Sequence, residues 1–108
     1  MAVLPIAQIG EPVLRAPVKA VDLDQLQQAE TQGFIDDLVE TMRDACGAGL
    51  AANQVFRSWR ICAIEVASNP RYPYKPNIDL TVLINPSIEP MTEERFDNYE
   101  GCLSVPNI

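Results

Sequence analysis

Between Asp22 and Gly47 the apolar residues Leu26, Ala29, Phe34, Leu38, Met42 and Ala45 recur mostly three or four positions apart. The polar residues Gln27, Gln28, Glu30, Asp36, Asp37 and Glu40 fill the places between them. This pattern predicts a helix with one buried and one wet face. Asp22 and Asp24 offer N-caps, with Gln25 and Gln27 three residues on from each, and the helix should end before Gly47. Gly33 in its middle costs about 1 kcal/mol relative to alanine and is read as the mark of a close contact. Upstream, Pro5, Pro12 and Pro17 punctuate the first twenty residues, which predicts an extended, turn-rich arm. Downstream the period shortens. Arg60 to Val66 reads as a strand, Ser68 to Asp79 with Pro70, Pro73 and Pro76 as a loop, and Leu80 to Asn85 as a second strand closed by Pro86. Ser87 to Tyr99 alternates loosely and predicts a third strand or ribbon. The connections are too short for parallel crossovers, so the expected class is α+β, one amphipathic helix packed with antiparallel strands.

The length of 108 residues fits one domain over 1–108 and not two. Apolar residues make up 47% of the chain, as in globular proteins. No run approaches the ~18 apolar residues of a membrane span. The start, Met1-Ala2-Val3-Leu4-Pro5, lacks the basic and apolar regions of a secretory signal, so a cytoplasmic location is expected. Fifteen acidic against eight basic residues give a net charge of −7. That sign repels phosphate backbones and argues against a direct nucleic-acid partner; solubility accounts for it.

There are three cysteines and no histidine. An odd, unpaired set argues against a disulfide framework and suits a reducing compartment. Cys62, within Ile61-Cys62-Ala63-Ile64, is expected to pack as a small hydrophobe, and Cys46 beside Gly47 likewise. Cys102 has a different setting, Glu100-Gly101-Cys102-Leu103-Ser104-Val105-Pro106. A thiolate there could ligate a divalent transition metal, with the glycine leaving room, although a buried strand cysteine fits the same residues. A second segment, Gly47-Ala48-Gly49-Leu50-Ala51-Ala52-Asn53-Gln54, reads as a helix stop and tight turn. Its glycines would equally allow a bound backbone to approach, with the Gln54 amide as a donor at the far end. It is not a dinucleotide fingerprint.

Taken together, Gly-x-Gly-Leu-Ala-Ala-x-Gln followed by Glu-Gly-Cys-Leu-Ser resembles the first two signature motifs of peptide deformylases. Gly10-Glu11-Pro12-Val13-Leu14-Arg15 and Leu83-Ile84-Asn85-Pro86 are similar to that family too, in the same order. The resemblance implies removal of the formyl group from N-formylmethionine on newly made polypeptides, with N-formylmethionyl nascent peptides as partners. It implies a divalent metal, Fe(II) in many members, with zinc, nickel or cobalt able to take its place. By the resemblance, Cys102 is a metal ligand, and Gln54 and the backbone N–H of Leu103 hold the formyl oxygen as it becomes an oxyanion. Ala48, Gly49 and Gly101 form the edge along which the peptide lies as an added strand. Such donors are worth about 2.7–4 kcal/mol each, a metal-bound water is nucleophilic near neutral pH, and strand addition reads backbone rather than side chains.

The family's third motif, H-E-x-x-H, supplies two further ligands and a general base. This chain has no histidine, and the spacing of Cys46, Glu65 and Glu100 does not suggest substitutes. Asn53 stands where a proline is frequent and touches none of these roles. The expectation is therefore an N-terminal portion of a deformylase domain, ending at Ile108 without a cap or polar tail and inactive alone. An apolar sheet face should be left uncovered, with aggregation or a chain supplying the missing helix as the consequence. The alternative is a degenerate, non-catalytic module that binds peptide N-termini or a partner chain.

Overall fold

The structure, a computed structural model, describes residues 2–67, 77–98 and 100–105. Two helical segments follow the arm, α1 (Leu23–Gln27) and α2 (Ala29–Asp44), and then three strands, β1 (Gly49–Ala51), β2 (Ile61–Val66) and β3 (Ile78–Ile84). The strands form one antiparallel sheet in the order β1-β2-β3, with Leu50 opposite Ala63 and Ala63 opposite Val82. The α+β class with antiparallel strands is as expected.

The single helix of the sequence reading is divided. Gln28 is extended, at φ −68° and ψ 142°, and serves both as the C-cap of α1 and the N-cap of α2. The break is stabilised by Gln32, whose Nε2 donates to the Leu26 carbonyl at 2.7 Å and satisfies a carbonyl that a continuous helix would have used. Asp22 caps α1, its Oδ1 accepting from the Gln25 N–H at 2.7 Å, while Asp24 lies in the first turn. Gly33 marks no close contact among the described residues: a Cβ built there meets nothing of theirs within 4 Å.

The buried face of α2 is the one its period predicts. Phe34, Leu38 and Met42 pack with Leu50, Ala52, Val55, Ile61 and Ala63 into one core cluster, with Val21 from the arm. Leu38 and Met42 are wholly buried. The helix ends in a Schellman motif, with Cys46 N–H bonded to Arg43 O and Gly47 N–H to Met42 O. The left-handed residue is Cys46 (φ 55°) rather than a glycine, and its side chain is exposed, so the expectation that Cys46 packs is not met.

Two strand expectations change. Gly49–Ala51, read as part of a turn, is a short edge strand, because the small residues can pair with β2 although they carry little strand signal of their own. Ser87 to Tyr99 was expected as a strand or ribbon, and residues 86–98 form none. Its apolar residues Ile88, Met91 and Phe96 are exposed, so the alternation has no partner to act on among the described residues. The proline loop and the end of that ribbon at Tyr99 fall largely outside the described residues.

The arm is extended apart from a turn closed by Glu11 N–H to Gln8 O, with Gly10 at φ 102°, and a 3-10 turn at Pro12–Leu14. It is tied down along its length: Leu4 N–H to Thr41 Oγ1, Lys19 N–H to Ser58 O and Arg60 N–H to Lys19 O. Asn85, just past β3 at φ 53°, exchanges two side-chain hydrogen bonds of 2.8 Å with the backbone of Val21. The sheet face away from the core carries Cys62, Ile64 and Leu83, and Leu83 is exposed.

Arg43 on α2 and Glu65 on β2 form a two-point ion pair at 2.8 and 2.9 Å. The hydrogen-bonded guanidinium holds the Glu65 carboxyl below its usual range. A lowered folded pKa means that the pair's contribution is present above the unfolded value of about 4.3 and is lost as pH falls through the folded value. Glu65→Gln should therefore flatten part of the acid limb. Urea midpoints of both proteins from pH 7 to pH 3 should converge below the ordinary carboxylate range; parallel curves would show that the pair does nothing.

Candidate functional site

The two segments singled out in the sequence meet at one cleft of about 290 Å³, lined by Gly47, Ala48, Gly49, Gln54, Glu100, Gly101, Cys102 and Leu103. Gln54 and Cys102, 48 residues apart, are brought side by side, with Gln54 Nε2 at 3.8 Å from Cys102 Sγ. Every residue proposed from the sequence for this site, namely Ala48, Gly49, Gln54, Gly101, Cys102 and Leu103, is on its wall.

One wall is the outer edge of β1. Glu65 N–H bonds to the Ala48 carbonyl at 3.0 Å, which fixes the phase of the antiparallel ladder. Alternation then turns the N–H and C=O of Gly49 away from β2, toward the open edge. The same phase turns the Ala51 N–H outward, where it is taken up by Gln54 Oε1 at 2.9 Å. A backbone laid along this edge would find the groups of Gly49 facing it. Gly49 is exposed, and a Cβ there would make ordinary contact with Ile64 at 3.5 Å.

The other wall is a tight turn, Cys102 to Val105, closed by Val105 N–H to Cys102 O at 3.0 Å. Leu103 at its corner presses against Gly47: a Cβ on residue 47 would lie 2.7 Å from Leu103 Cδ1. Glycine at 47 is thus what lets the turn sit close to the end of α2.

Gln54 and Ser104 bind across the floor, Nε2 donating to Ser104 Oγ at 3.0 Å. The arm crosses behind them, with Ala7 N–H on Gln54 O (2.6 Å), Ile9 N–H on Ser104 O (2.8 Å) and Gln8 Nε2 on Leu103 O (3.3 Å). Sequence reasoning gave no role to Ser104 or to residues 7–9. Ser104 lies inside the Glu-Gly-Cys-Leu-Ser motif, but a hydroxyl acquires a role only from what faces it.

The cysteines separate by environment. Cys102 is exposed on the cleft. Cys62 is half-buried on β2, and burial pushes its thiol above the usual range, which agrees with a packing residue. As to a metal, the donor set is incomplete: no group of three or more His, Cys, Asp or Glu side chains comes together among the described residues. Cys102 offers one soft donor, and Glu65 is engaged by Arg43. These residues do not by themselves fit a catalytic metal, which needs about three protein ligands.

The model of the polypeptide deformylase family matches residues 3–108. Peptide deformylase 2 of Nostoc sp. is 43% identical over 105 residues, covering 97% of this chain and 58% of that protein. Peptide deformylase 1 of Nitrosomonas europaea is 38% identical over 104 residues, with 96% and 58% covered. The chain therefore spans 58% of the length of these two curated relatives. A class I type b peptide deformylase from Acinetobacter baumannii superposes with a TM-score of 0.90 at 36% identity, over 98% of this chain and 67% of that one. Its Met-Ala-Ser-bound structure gives 0.87 at 34% identity, over 98% and 68%. With the family matched over nearly all its residues and the fold shared, the chain belongs to the peptide deformylases.

Proposed function

We propose that these residues form one wall of a metal-dependent deformylase site that removes the formyl group from N-formylmethionine of newly made polypeptides in the cytoplasm. The observation that carries the reading is the convergence of Gln54, Cys102 and the open β1 edge on one cleft. On this reading the peptide adds as a strand beside Gly49, with Ala48 and Gly101 flanking it, so that the backbone is read and varied side chains are accepted. The formyl group lies at the floor, its oxygen between Gln54 Nε2 and the N–H of Leu103. As the carbonyl carbon is attacked, charge gathers on that oxygen, and two fixed donors stabilise it without reorganising.

Cys102 is assigned as a ligand to a divalent metal, Fe(II) first, with zinc, nickel and cobalt as substitutes. A catalytic ion needs more than this thiol, and a chain without histidine does not provide it. We therefore assign residues 1–108 as the N-terminal part of one deformylase domain, inactive alone. Its remaining ligands and general base come from additional sequence, or from a chain that supplies the equivalent helix.

The test uses the 108-residue chain and a chimera completed with the remainder of a relative. The chain alone should bind formyl-Met-Ala saturably without hydrolysing it. The chimera should take up one divalent ion and hydrolyse the peptide, and Cys102→Ser should remove both properties. Turnover by the chain alone would defeat the need for further ligands. A Cys102→Ser chimera that still bound the ion and turned over would defeat the ligand assignment. Peptide binding by the chain together with an inactive chimera would favour a module that binds peptide N-termini without catalysis.

A further inference from the structure

We propose that Ser104 is a positioning residue that fixes the orientation of the Gln54 amide; this rests on the assignment of Gln54 as an oxyanion donor. A glutamine amide can be seated either way round, and its neighbours decide which end is oxygen. The Ala51 N–H can only donate, so the atom 2.9 Å from it is Oε1, and Nε2 lies at the other end. Nε2 carries two hydrogens. One is taken by Ser104 Oγ at 3.0 Å; the other is donated on the cleft side, to Cys102 Sγ at 3.8 Å. The seryl hydroxyl thus holds the amide plane from the side opposite Ala51, and without it the group could turn about its last torsion.

Three features make this a built arrangement. Ser104 is 4% exposed, so water does not compete for its Oγ. It lies 50 residues from Gln54, so the contact depends on tertiary structure. The arm then fixes the two backbones side by side, through Ala7 N–H to Gln54 O and Ile9 N–H to Ser104 O. A serine whose only task was to satisfy its own polar atom would not need a partner held at both ends.

The first readout is the Gln54 side-chain amide in ¹⁵N spectra of the 108-residue chain. In the parent chain one Nε2 proton should be shifted and exchange slowly with solvent. Ser104→Ala should speed its exchange at least about tenfold, the equivalent of one hydrogen bond, and Ser104→Thr, which keeps the hydroxyl, should restore it. If the alanine variant fails to fold, Ser104→Cys, with a weaker acceptor of similar size, takes its place. Unchanged amide exchange in a folded variant would overturn the proposal. The second readout is turnover by the completed chimera. Ser104→Ala should lower kcat with KM little changed, and should add nothing in a Gln54→Ala background. An equal loss with and without Gln54 would also overturn it. If Gln54→Ala itself leaves kcat unaltered, the oxyanion assignment falls, whereas the amide spectrum still decides whether Ser104 holds Gln54.

Discussion

Asn85→Ala is expected to destabilise the chain by about 3 kcal/mol, a large part of the roughly 5–15 kcal/mol that holds a domain of this size. Asn85 does the work of a strand partner with a side chain. Its Oδ1 accepts from Val21 N–H and its Nδ2 donates to Val21 O, both at 2.8 Å, while its own N–H bonds to Arg60 O at 2.7 Å. Val21 is buried, at 3% exposure, so removing the amide leaves a backbone donor and acceptor without partners where water enters poorly. The backbone adds a second cost. At φ 53° Asn85 occupies the left-handed region, which asparagine tolerates and alanine resists by about 1 kcal/mol. The two costs can be separated. Asn85→Gly keeps the conformation and loses both hydrogen bonds. Asn85→Asp keeps the acceptor for Val21 N–H but turns a second acceptor oxygen on the Val21 carbonyl, so its midpoint in urea should fall too, and fall less where the carboxyl is protonated and can donate. An alanine variant within about 0.5 kcal/mol of the parent would mean that the arm is held elsewhere, by Lys19 and Leu4, and that Asn85 is dispensable.

The same contact explains why some of this fold was legible in the sequence and some was not. Phe34, Leu38 and Met42 announced their buried face because helical period is a local property. The break at Gln28 was hidden, since nothing in its own neighbourhood forbids helix; the Gln32 amide on the Leu26 carbonyl is what stabilises the interruption. β1 was missed for the opposite reason. Three small residues become a strand only because Ala63 and its neighbours lie alongside. Residues 87–98 erred the other way, since alternation needs a surface to pack on and Ile88, Met91 and Phe96 have none among the described residues. Asn85 belongs to the Leu83-Ile84-Asn85-Pro86 motif, but its bonds to Val21 span 64 residues and leave no mark in either segment.

The site divides along the same line. From spacing alone, Gly47 to Gln54 reads as a turn or as a place for a bound backbone, Cys102 as a metal ligand or a strand cysteine, and only the resemblance joins them. The fold accounts for the joining. The Schellman turn at Cys46 and Gly47 directs the chain into β1, the Gly47–Leu103 contact brings the second segment against it, and residues 7–9 pin both from behind. Gly47 would be read as a helix stop in any sequence. In this structure its missing Cβ is what admits Leu103, and with Leu103 comes the proposed second donor.

Gln54→Ala is expected to have the largest functional effect, a fall in kcat of about 10²–10³ in a completed, metal-loaded chimera, with KM for formyl-Met-Ala little changed. The asymmetry follows from what the amide is proposed to do. A neutral formyl oxygen gains little from the Nε2 donor, whereas an oxygen that has become an alkoxide gains the whole difference. The proposed binding of peptide along the Gly49 edge makes little use of Gln54 and should survive. Alanine also removes the acceptor that holds Ala51 N–H, so a lost strand end could mimic a lost donor. Gln54→Glu separates them. Its carboxylate can still accept from Ala51 N–H and keep β1 in place, but it brings no donor and adds a negative charge facing a developing one. The glutamate variant should bind peptide like the parent and turn over no faster than the alanine variant. If it worked at a normal rate, the oxyanion would have to be held without Gln54, with Leu103 N–H as the donor this chain supplies, and Gln54 would be a structural residue of the β1 edge.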